Sequence, residues 1–121
     1  GTRNTVHIID MEKSAEKFKQ ALKFLQELIS EEKTLLLIGT KIQHKELVKE
    51  LANQCDLLYV SERWIGGTFT NLKTISKRIN YFKDLEEKKR TGELEKYTKL
   101  ERYKIDLELR DLEIKFGGMT S

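Results

Sequence analysis

The predicted architecture depends on the stretch Thr34–Lys41, which reads Thr-Leu-Leu-Leu-Ile-Gly-Thr-Lys. Residues 34–38 place apolar side chains on both faces of an extended chain, and the run stops at Gly39. A strand that is apolar on both faces is typical of a parallel sheet covered by helices on each side. Residues 34–38 are therefore predicted to form a central strand, with a turn at Gly39-Thr40.

The residues before this strand predict another strand and a long helix. Residues 5–9 read Thr-Val-His-Ile-Ile and are predicted to form a buried strand. Asp10 is suited to cap the next helix, because its side chain can accept hydrogen bonds from the first free N–H groups. A helix is predicted from Met11 to about Ser30, since apolar residues recur there in steps of three and four. These residues are Phe18, Ala21, Leu22, Leu25, Leu28 and Ile29.

The residues after the central strand repeat the alternation. A helix is predicted over about 42–53, and residues 57–60, Leu-Leu-Tyr-Val, are predicted to form a third strand. The inward side chains of that helix are expected to be Leu47, Val48 and Leu51. Strands that alternate with helices imply parallel pairing and right-handed crossovers. The pattern therefore predicts an α/β core of three parallel strands, with helices on both faces, within residues 1–67.

Beyond Gly67 the pattern changes to two helices with narrow apolar stripes. Apolar residues recur every three or four positions over 72–85 and again over 94–116, and polar residues 88–92 interrupt them. Gly117-Gly118 is predicted to stop the second helix. The sequence predicts an antiparallel, coiled-coil-like helical hairpin over residues 68–118. The apolar positions are Leu72, Ile75, Ile79, Phe82, Leu85, Leu94, Tyr97, Leu100, Tyr103, Leu107, Leu109, Leu112 and Phe116.

Composition and charge narrow the class of protein. The chain has 121 residues, of which 36% are charged, and its net charge is +3. This balance is only mildly basic, but seven basic and three acidic residues lie between Lys73 and Arg90. Cys55 is the only cysteine, which favours a reducing, cytoplasmic location. No apolar run approaches the roughly 20 residues that span a bilayer, and no signal peptide is recognised at the start.

Catalytic chemistry finds little support in the sequence. His7, His44 and Cys55 are the residues most suited to it, but their spacing does not match a metal site. No nucleophile and base can be paired among so few candidates. His7 is expected to be a hydrogen-bonded structural histidine and Cys55 a small buried thiol. We therefore predict no enzyme, no catalytic or metal-binding residue and no cofactor.

The turn after the central strand offers one candidate anion site. Phosphate groups often bind where a strand leads into a helix, because free N–H groups point outward there. The phosphate-loop and dinucleotide patterns are both absent. Lys41, His44 and Lys45 nevertheless gather in the first turns of the predicted helix. Cations at a helix N-terminus oppose the helix dipole, so their presence favours a nearby anion.

The segment after the third strand is the richest in candidate contacts. Residues 61–71 read Ser-Glu-Arg-Trp-Ile-Gly-Gly-Thr-Phe-Thr-Asn and lie at the same edge of the predicted sheet as Lys41. Trp64 could plug the junction between sheet and hairpin. Alternatively, Gly66-Gly67 could let a sugar–phosphate chain approach while Arg63 contacts phosphate. The sequence leaves both interpretations open, and they are compatible.

Three motifs in order resemble one known family. They are Arg-Asn-x-Val-His-Ile-Ile-Asp at 3–10, Gly-Thr-Lys at 39–41 and Arg-Trp-Ile-Gly-Gly-Thr-x-Thr-Asn at 63–71. Their spacing resembles the family of the second protein of the small ribosomal subunit, whose eukaryotic relatives include the laminin-receptor precursor. The length of the hairpin favours a bacterial or organellar member. The family begins with a His-Phe-Gly-His-like motif and continues past the hairpin to a Leu-Pro-Asp motif, so the chain is expected to be its N-terminal half to two-thirds.

The resemblance implies a flavodoxin-like sheet that carries the hairpin as an insertion. It also implies binding of small-subunit ribosomal RNA and of neighbouring ribosomal proteins, including the mRNA-binding protein S-one, and no catalytic activity. Residue by residue, the expected RNA contacts are Arg3, Lys41, His44, Lys45, Arg63, Trp64, Gly66, Gly67, Lys73, Lys77 and Arg78.

Two alternative functions are kept beside RNA binding, and one further expectation concerns the edge of the sheet. One alternative is a protein-interaction module whose hairpin docks a partner, with incidental RNA contact. A less favoured alternative is a nucleotide-binding α/β enzyme, for which the phosphate loop and paired acid are missing. The third strand, residues 57–60, is also expected to leave an open edge through which chains could self-associate.

Overall fold

The computed structural model describes residues 1–120 and confirms a mixed α/β protein. Contacts divide the chain into two compact units, Gly1–Thr34 and the residues from Leu35 onward. The elements are β1 (Thr2–Arg3), β2 (Val6–His7), α1 (Met11–Ser30), β3 (Leu36–Ile38), α2 (Lys45–Cys55), β4 (Leu58–Val60), α3 (Leu72–Thr91) and α4 (Lys99–Phe116). Short 3₁₀ turns follow α3 at Glu93–Lys96 and α4 at Gly117–Met119.

The first unit begins with a small hairpin instead of the expected buried parallel strand. β2 pairs antiparallel with β1, and Val6 is 65% exposed. Asn4 and Thr5 connect the strands with φ of 49° and 65°. A two-residue loop with positive φ at both positions matches the twist of paired strands, so the chain folds back locally. The prediction that residues 5–9 form the first of three parallel strands is therefore wrong for the described residues.

Helix α1 confirms the predicted long helix over Met11–Ser30. The Asp10 carboxylate accepts hydrogen bonds from the backbone N–H groups of Glu12 and Lys13, at 3.0 and 3.3 Å. The apolar side of α1 stays exposed within its unit, for example at Phe18. Among the described helices, none is long and apolar enough to cross a membrane.

The second unit contains the parallel pair predicted from the strand–helix–strand order. β3 and β4 lie in register, with Leu36 opposite Leu58. Helix α2 packs so closely over the start of the crossover that a Cβ at Gly39 would lie 2.3 Å from the Cγ2 of Val48. Gly39 is thus explained by the close packing of α2 on the turn after β3.

The inward face of α2 differs from the predicted one. Val48 is half-buried and Ala52 is fully buried, but Leu47 and Leu51 are exposed. Val48 and Ala52 are four residues apart and share a helix face. Leu47 and Leu51 lie on a neighbouring face of α2, which is exposed within this unit.

Helices α3 and α4 form the antiparallel pair predicted for residues 72–116. Lys89 near the end of α3 binds Asp106 in the first half of α4, with Nζ–Oδ1 of 2.8 Å. The buried core between the helices is Ile75, Phe82, Leu85, Leu109, Leu112 and Phe116. Ile105 packs against this core, whereas the predicted stripe residues Leu100, Tyr103 and Leu107 are exposed. The stripe of α4 therefore runs through Ile105 in place of Leu107.

The base of the helix pair rests against the outer edge of β4. Successive carbonyls of a strand point to opposite edges, and that of Val60 accepts from the Gly39 N–H at 2.9 Å, on the β3 side. The Tyr59 carbonyl therefore points away from β3. A Cβ at Gly118 would lie 2.2 Å from the Tyr59 oxygen, so the turn Gly117–Met119 covers this edge. The expectation of an open edge is corrected, because a loop of the same chain lies against it.

Candidate nucleic-acid interface

A cleft of about 370 Å³ lies where the segment after β4 meets the base of the helix pair. The β4–α3 segment supplies one side, α3 supplies another, and the end of α4 closes the base. Its lining residues are Arg63, Trp64, Ile65, Gly66, Asn71, Thr74, Ile75, Arg78, Lys115 and Phe116.

A tight turn positions the β4–α3 segment on this cleft. The Thr68 N–H donates to the Ile65 carbonyl at 3.3 Å, and the buried Thr68 hydroxyl donates to the same oxygen at 2.6 Å. Gly67 is the third residue of this turn and has φ of +85°, which a type II turn requires at that position. The Ile65 side chain packs against the helix-pair core. The turn is therefore fixed to the hairpin by Ile65, while Gly66 lies on the cleft.

Trp64 lies at the junction between the β4–α3 segment and the helix pair, as the first of the two interpretations of this segment predicted. Its ring is half-buried and lines the cleft beside Phe116 and Ile75 of the helix pair. The Trp64 and Phe69 ring centroids are 5.3 Å apart at 53°, a tilted aromatic contact. Phe69 itself is 73% exposed. An aromatic pair thus stands partly in solvent at the rim of the junction.

The charged side chains that line the cleft are all positive. Arg63, Arg78 and Lys115 line it, and its lining includes no carboxylate. Within residues 1–120 neither arginine forms an ion pair, whereas Lys115 binds Asp111 with Nζ–Oδ2 of 2.6 Å. Four other cavities in the described part of the chain each include at least one aspartate or glutamate. A concave site with one sign of charge concentrates the field and attracts anions.

The start of α3 adds to this positive potential. Its N-cap, Asn71, makes no side-chain capping bond, and its first turn contains no acidic residue. Helix α2 likewise starts at His44 without a side-chain cap, whereas Asp10 and Thr98 cap α1 and α4. An uncapped helix start leaves N–H groups that favour a negative group nearby. The Asn71 amide and the Thr74 hydroxyl also line the cleft, and neither side chain makes a hydrogen bond within residues 1–120.

The structure brings only part of the predicted contact set together. Arg63, Trp64, Gly66 and Arg78 all line the cleft, and Gly67 shapes the turn beside it. Lys77 lines a neighbouring cavity of about 320 Å³ with Arg78 and Tyr81. The remaining predicted positions, Arg3, Lys41, His44, Lys45 and Lys73, are not part of its lining.

Lys45 already has an anion from its own chain. Its ammonium binds the Glu62 carboxylate at 2.7 Å, across the edge where β4 ends. The sequence pattern indicated that an anion should lie near this helix start, and in the structure Glu62 provides one. Lys41 and His44 lie exposed in the turn before α2, and Arg3 lies in β1 of the first unit.

Sequence reasoning missed Asn71, Thr74 and Lys115 as lining residues. Asn71, Thr74 and Arg78 are spaced by three and four, so a helical projection of α3 would have placed them on one face. Lys115 had no comparable signal, because its arrival at the cleft depends on how α4 returns to the sheet.

The side chains most suited to catalysis, His7, His44 and Cys55, are exposed. His7 and Cys55 are exposed, which corrects the expectation of a buried histidine and a buried thiol. His7 is exposed because its strand pairs only with β1, and Cys55 because it ends α2 at the surface. Among the described residues, no three of His, Cys, Asp and Glu stand together as metal ligands.

Tyr81 next to the cleft stays protonated at neutral pH. Partial burial, and then the nearby Glu108 carboxylate, raise the pKa of its hydroxyl above the ordinary value of 10.0. It therefore presents a neutral hydroxyl beside Lys77 and Arg78 in the neighbouring cavity.

The fold and the cleft define a small α/β protein with a helical hairpin and an electropositive, aromatic site, features typical of nucleic-acid-binding proteins. Comparison with known proteins identifies the family within this class. The family model described as ribosomal protein S2 matches residues 1–121, and the chain belongs to this family.

Two curated relatives agree with that assignment. The chain is 41% identical over 119 residues to the small ribosomal subunit protein uS2 of Roseiflexus sp. (strain RS-1). It is 43% identical over 119 residues to the protein of the same name from Roseiflexus castenholzii. Each alignment covers 98% of this chain and 45% of the relative, so the chain spans about half the length of the curated relatives it matches. The family resemblance seen in the sequence motifs is confirmed.

Proposed function

We propose that the chain acts as part of a structural constituent of the small ribosomal subunit and binds small-subunit ribosomal RNA. The observation that carries this proposal is the match of the family to the whole chain. The protein then works in the cytoplasmic ribosome during translation, through binding and not through catalysis. It needs no cofactor for that role.

The cleft supports RNA as the ligand. Two arginines without ion pairs and one lysine face a cavity that contains no carboxylate. Arginine and lysine contacts to phosphate supply most of the affinity of such complexes, and polar groups beside them fix the position of the chain. Lys73 and Lys77 extend the positive surface along α3. Lys41 and His44 lie exposed in the turn before α2, outside the cleft lining, and are included as proposed contacts.

The same proposal includes the architecture of the sheet and hairpin and the protein partners of the chain. We infer that the parallel β3–β4 pair belongs to a flavodoxin-like sheet and that residues 68–118 are a hairpin arm on the core of residues 1–67. The parallel register of β3 and β4 and the antiparallel helix pair support this division. The exposed stripe of Leu100, Tyr103 and Leu107 suits contact with neighbouring ribosomal proteins. Docking of the mRNA-binding protein S-one rests on the family resemblance alone.

The test measures binding of the full chain to transcribed small-subunit ribosomal RNA over a range of salt concentrations. The double variant Arg63→Gln and Arg78→Gln should bind more weakly than the parent. The slope of log affinity against log salt should also fall, by roughly 0.7–0.9 for each phosphate contact removed. Transfer RNA serves as the competitor that reveals non-specific binding.

Arg102→Gln is the matched control. Arg102 is an exposed arginine of α4, about 20 Å from Lys115 along the helix at about 1.5 Å per residue. Its loss should leave affinity and slope near those of the parent. Equal binding to transfer RNA by the parent would refute the proposed function, and an equal effect of all three arginines would refute the cleft as the interface.

A further inference from the structure

We propose that the cleft accepts one unpaired nucleotide of an RNA strand, with its base against Trp64 and its phosphates held by Arg63 and Arg78, while Lys115, already paired with Asp111, lies at the base of the cleft. This inference rests on the proposed RNA-binding function and names the form of RNA that the site takes. It is drawn from the chemistry and shape of the cleft in the described residues.

The shape of the site favours a single nucleotide over a duplex. Duplex RNA is recognised mainly by its shape across a wide, shallow minor groove, which suits a protein surface that follows the helix. The site here is a concavity of about 370 Å³, within the size range of pockets that enclose small ligands. A base that has left its stack can enter such a pocket, whereas a paired base cannot.

The aromatic pair supplies a surface for stacking. Trp64 is half-buried on the cleft and is held by Phe69 at 5.3 Å between ring centroids. Single strands are bound by aromatic rings on which bases stack, combined with cations that follow the backbone. Trp64 with Arg63 and Arg78 provides both elements in one cavity.

Polar groups of α3 complete the recognition of a nucleotide. The Asn71 amide offers a donor and an acceptor, and the Thr74 hydroxyl offers the same. Neither side chain has a hydrogen bond within residues 1–120, and both line the cleft. They can therefore bond to a base edge or to the ribose 2′-hydroxyl, the group that distinguishes RNA from DNA.

The first experiment compares short RNA strands of equal length by fluorescence anisotropy. The probes are an oligoadenylate, an abasic ribose–phosphate strand, and the oligoadenylate annealed to its complement. The oligoadenylate should bind about 5- to 150-fold more tightly than the abasic strand, the ratio that about 1–3 kcal/mol of stacking produces. The duplex should bind more weakly than the single strand. Equal affinity for the base-bearing and abasic strands would overturn the inference.

Trp64 provides a direct readout because it is the only tryptophan of the chain. Its fluorescence should be quenched by the oligoadenylate and remain unchanged with the abasic strand. Trp64→Leu should remove the preference for bases, and Trp64→Phe should restore part of it. Thermal unfolding of both variants, followed by circular dichroism, identifies any variant that fails to fold. If both unfold, quenching in the parent protein decides the question.

Competition by adenosine monophosphate tests whether the cleft takes a strand of RNA or a free nucleotide. It should compete with the oligoadenylate only weakly, because a monomer lacks the neighbouring phosphates. Competition at an affinity equal to that of the strand would instead define a mononucleotide site and overturn the inference.

The outcomes for the two proposals are separable. If ribosomal RNA binds and the bases make no difference, only the single-nucleotide inference fails. If the strands bind through their bases but small-subunit RNA has no preference over transfer RNA, only the ribosomal function fails.

Discussion

Adjacent residues of the same type serve different purposes in the segment after β4. Gly67 adopts φ of +85°, where side chains are strained, and a Cβ there would lie 3.1 Å from the Asn71 Cβ. Gly66 has no such constraint, since its φ is ordinary and nothing lies within 4 Å of a Cβ. Folding explains Gly67 but leaves Gly66 unexplained, and Gly66 is the one that lines the cleft.

The two glycines can be separated by substitution. Gly67→Ala should destabilise the chain by about 1–2 kcal/mol, the cost of a side chain in the left-handed region. Gly66→Ala should leave stability unchanged and, under the proposed function, weaken RNA binding, because its methyl group enters the cleft. Urea unfolding and RNA titration of each variant measure the two effects. Normal RNA affinity for Gly66→Ala would show that this glycine makes no close contact with RNA.

At the scale of elements, the helices differ in how their N-termini are capped. Helix α4 is closed by a capping box in which Thr98 and Glu101 bond to each other's backbone N–H groups. The Thr98 N–H donates to the Glu101 carboxylate at 2.8 Å. The hydrogen bonds from the Thr98 side chain and backbone lower the pKa of Glu101 below its ordinary value of 4.5.

The capping box of Thr98 and Glu101 predicts that the stability of α4 depends on pH. Because the folded chain lowers the pKa of Glu101, the stabilisation is fully present above the ordinary value of 4.5. It is lost as the pH falls through the lower pKa of the folded state. Thr98→Ala should cost about 1 kcal/mol at neutral pH and should remove this part of the acid sensitivity.

Helicity and urea midpoints on both sides of pH 4.5 check the prediction, with Thr91→Ala as a matched control. Thr91 lies at the other end of the hairpin connection, and its hydroxyl donates to helix carbonyls without capping N–H groups. A Thr98→Ala chain with the acid sensitivity of the parent would contradict the role of the box.

At the scale of the whole second unit, one glycine joins the helix pair to the sheet. A Cβ at Gly118 would meet the Tyr59 carbonyl at 2.2 Å and the Tyr59 ring at 2.8 Å. The neighbouring Gly117 has φ of −53° and room for a Cβ, whose nearest contact is the Glu113 Cγ at 3.4 Å. The close approach at Gly118 holds the end of α4 beside β4 and thereby places Lys115 and Phe116 on the cleft.

Substitution at this junction should affect folding and binding together. Gly118→Ala forces backbone apart and should destabilise the unit by about 1–3 kcal/mol, the usual cost of overpacking. RNA affinity should fall as well, since the base of the cleft moves. Gly117→Ala should preserve both properties. Urea unfolding and Trp64 fluorescence report the two effects, and a Gly118→Ala chain with full stability would show that the helix pair does not depend on this contact.

Local features of the fold could be predicted because their causes lie in neighbouring residues. Spacing of apolar residues and the Asp10 cap defined α1, and the run at 34–38 with its following helix and strand gave the parallel β3–β4 pair. Arg63, Trp64 and Arg78 were named as candidate contacts from their side-chain types, and the structure places all three on one cleft.

The tertiary structure alone decided which of these residues meet. Lys45 is neutralised by Glu62, which lies 17 positions along the chain, and Lys115 reaches the cleft only because α4 returns to β4. The hairpin of β1 and β2 likewise replaced a strand that its apolar residues had predicted for the sheet. Periodicity is a property of each segment by itself, whereas pairing depends on which surfaces compete for one another once the chain is compact. The sequence therefore predicted the long helices, the β3–β4 pair and the chemical character of the site, whereas packing determined how the first strand pairs and which residues line the cleft.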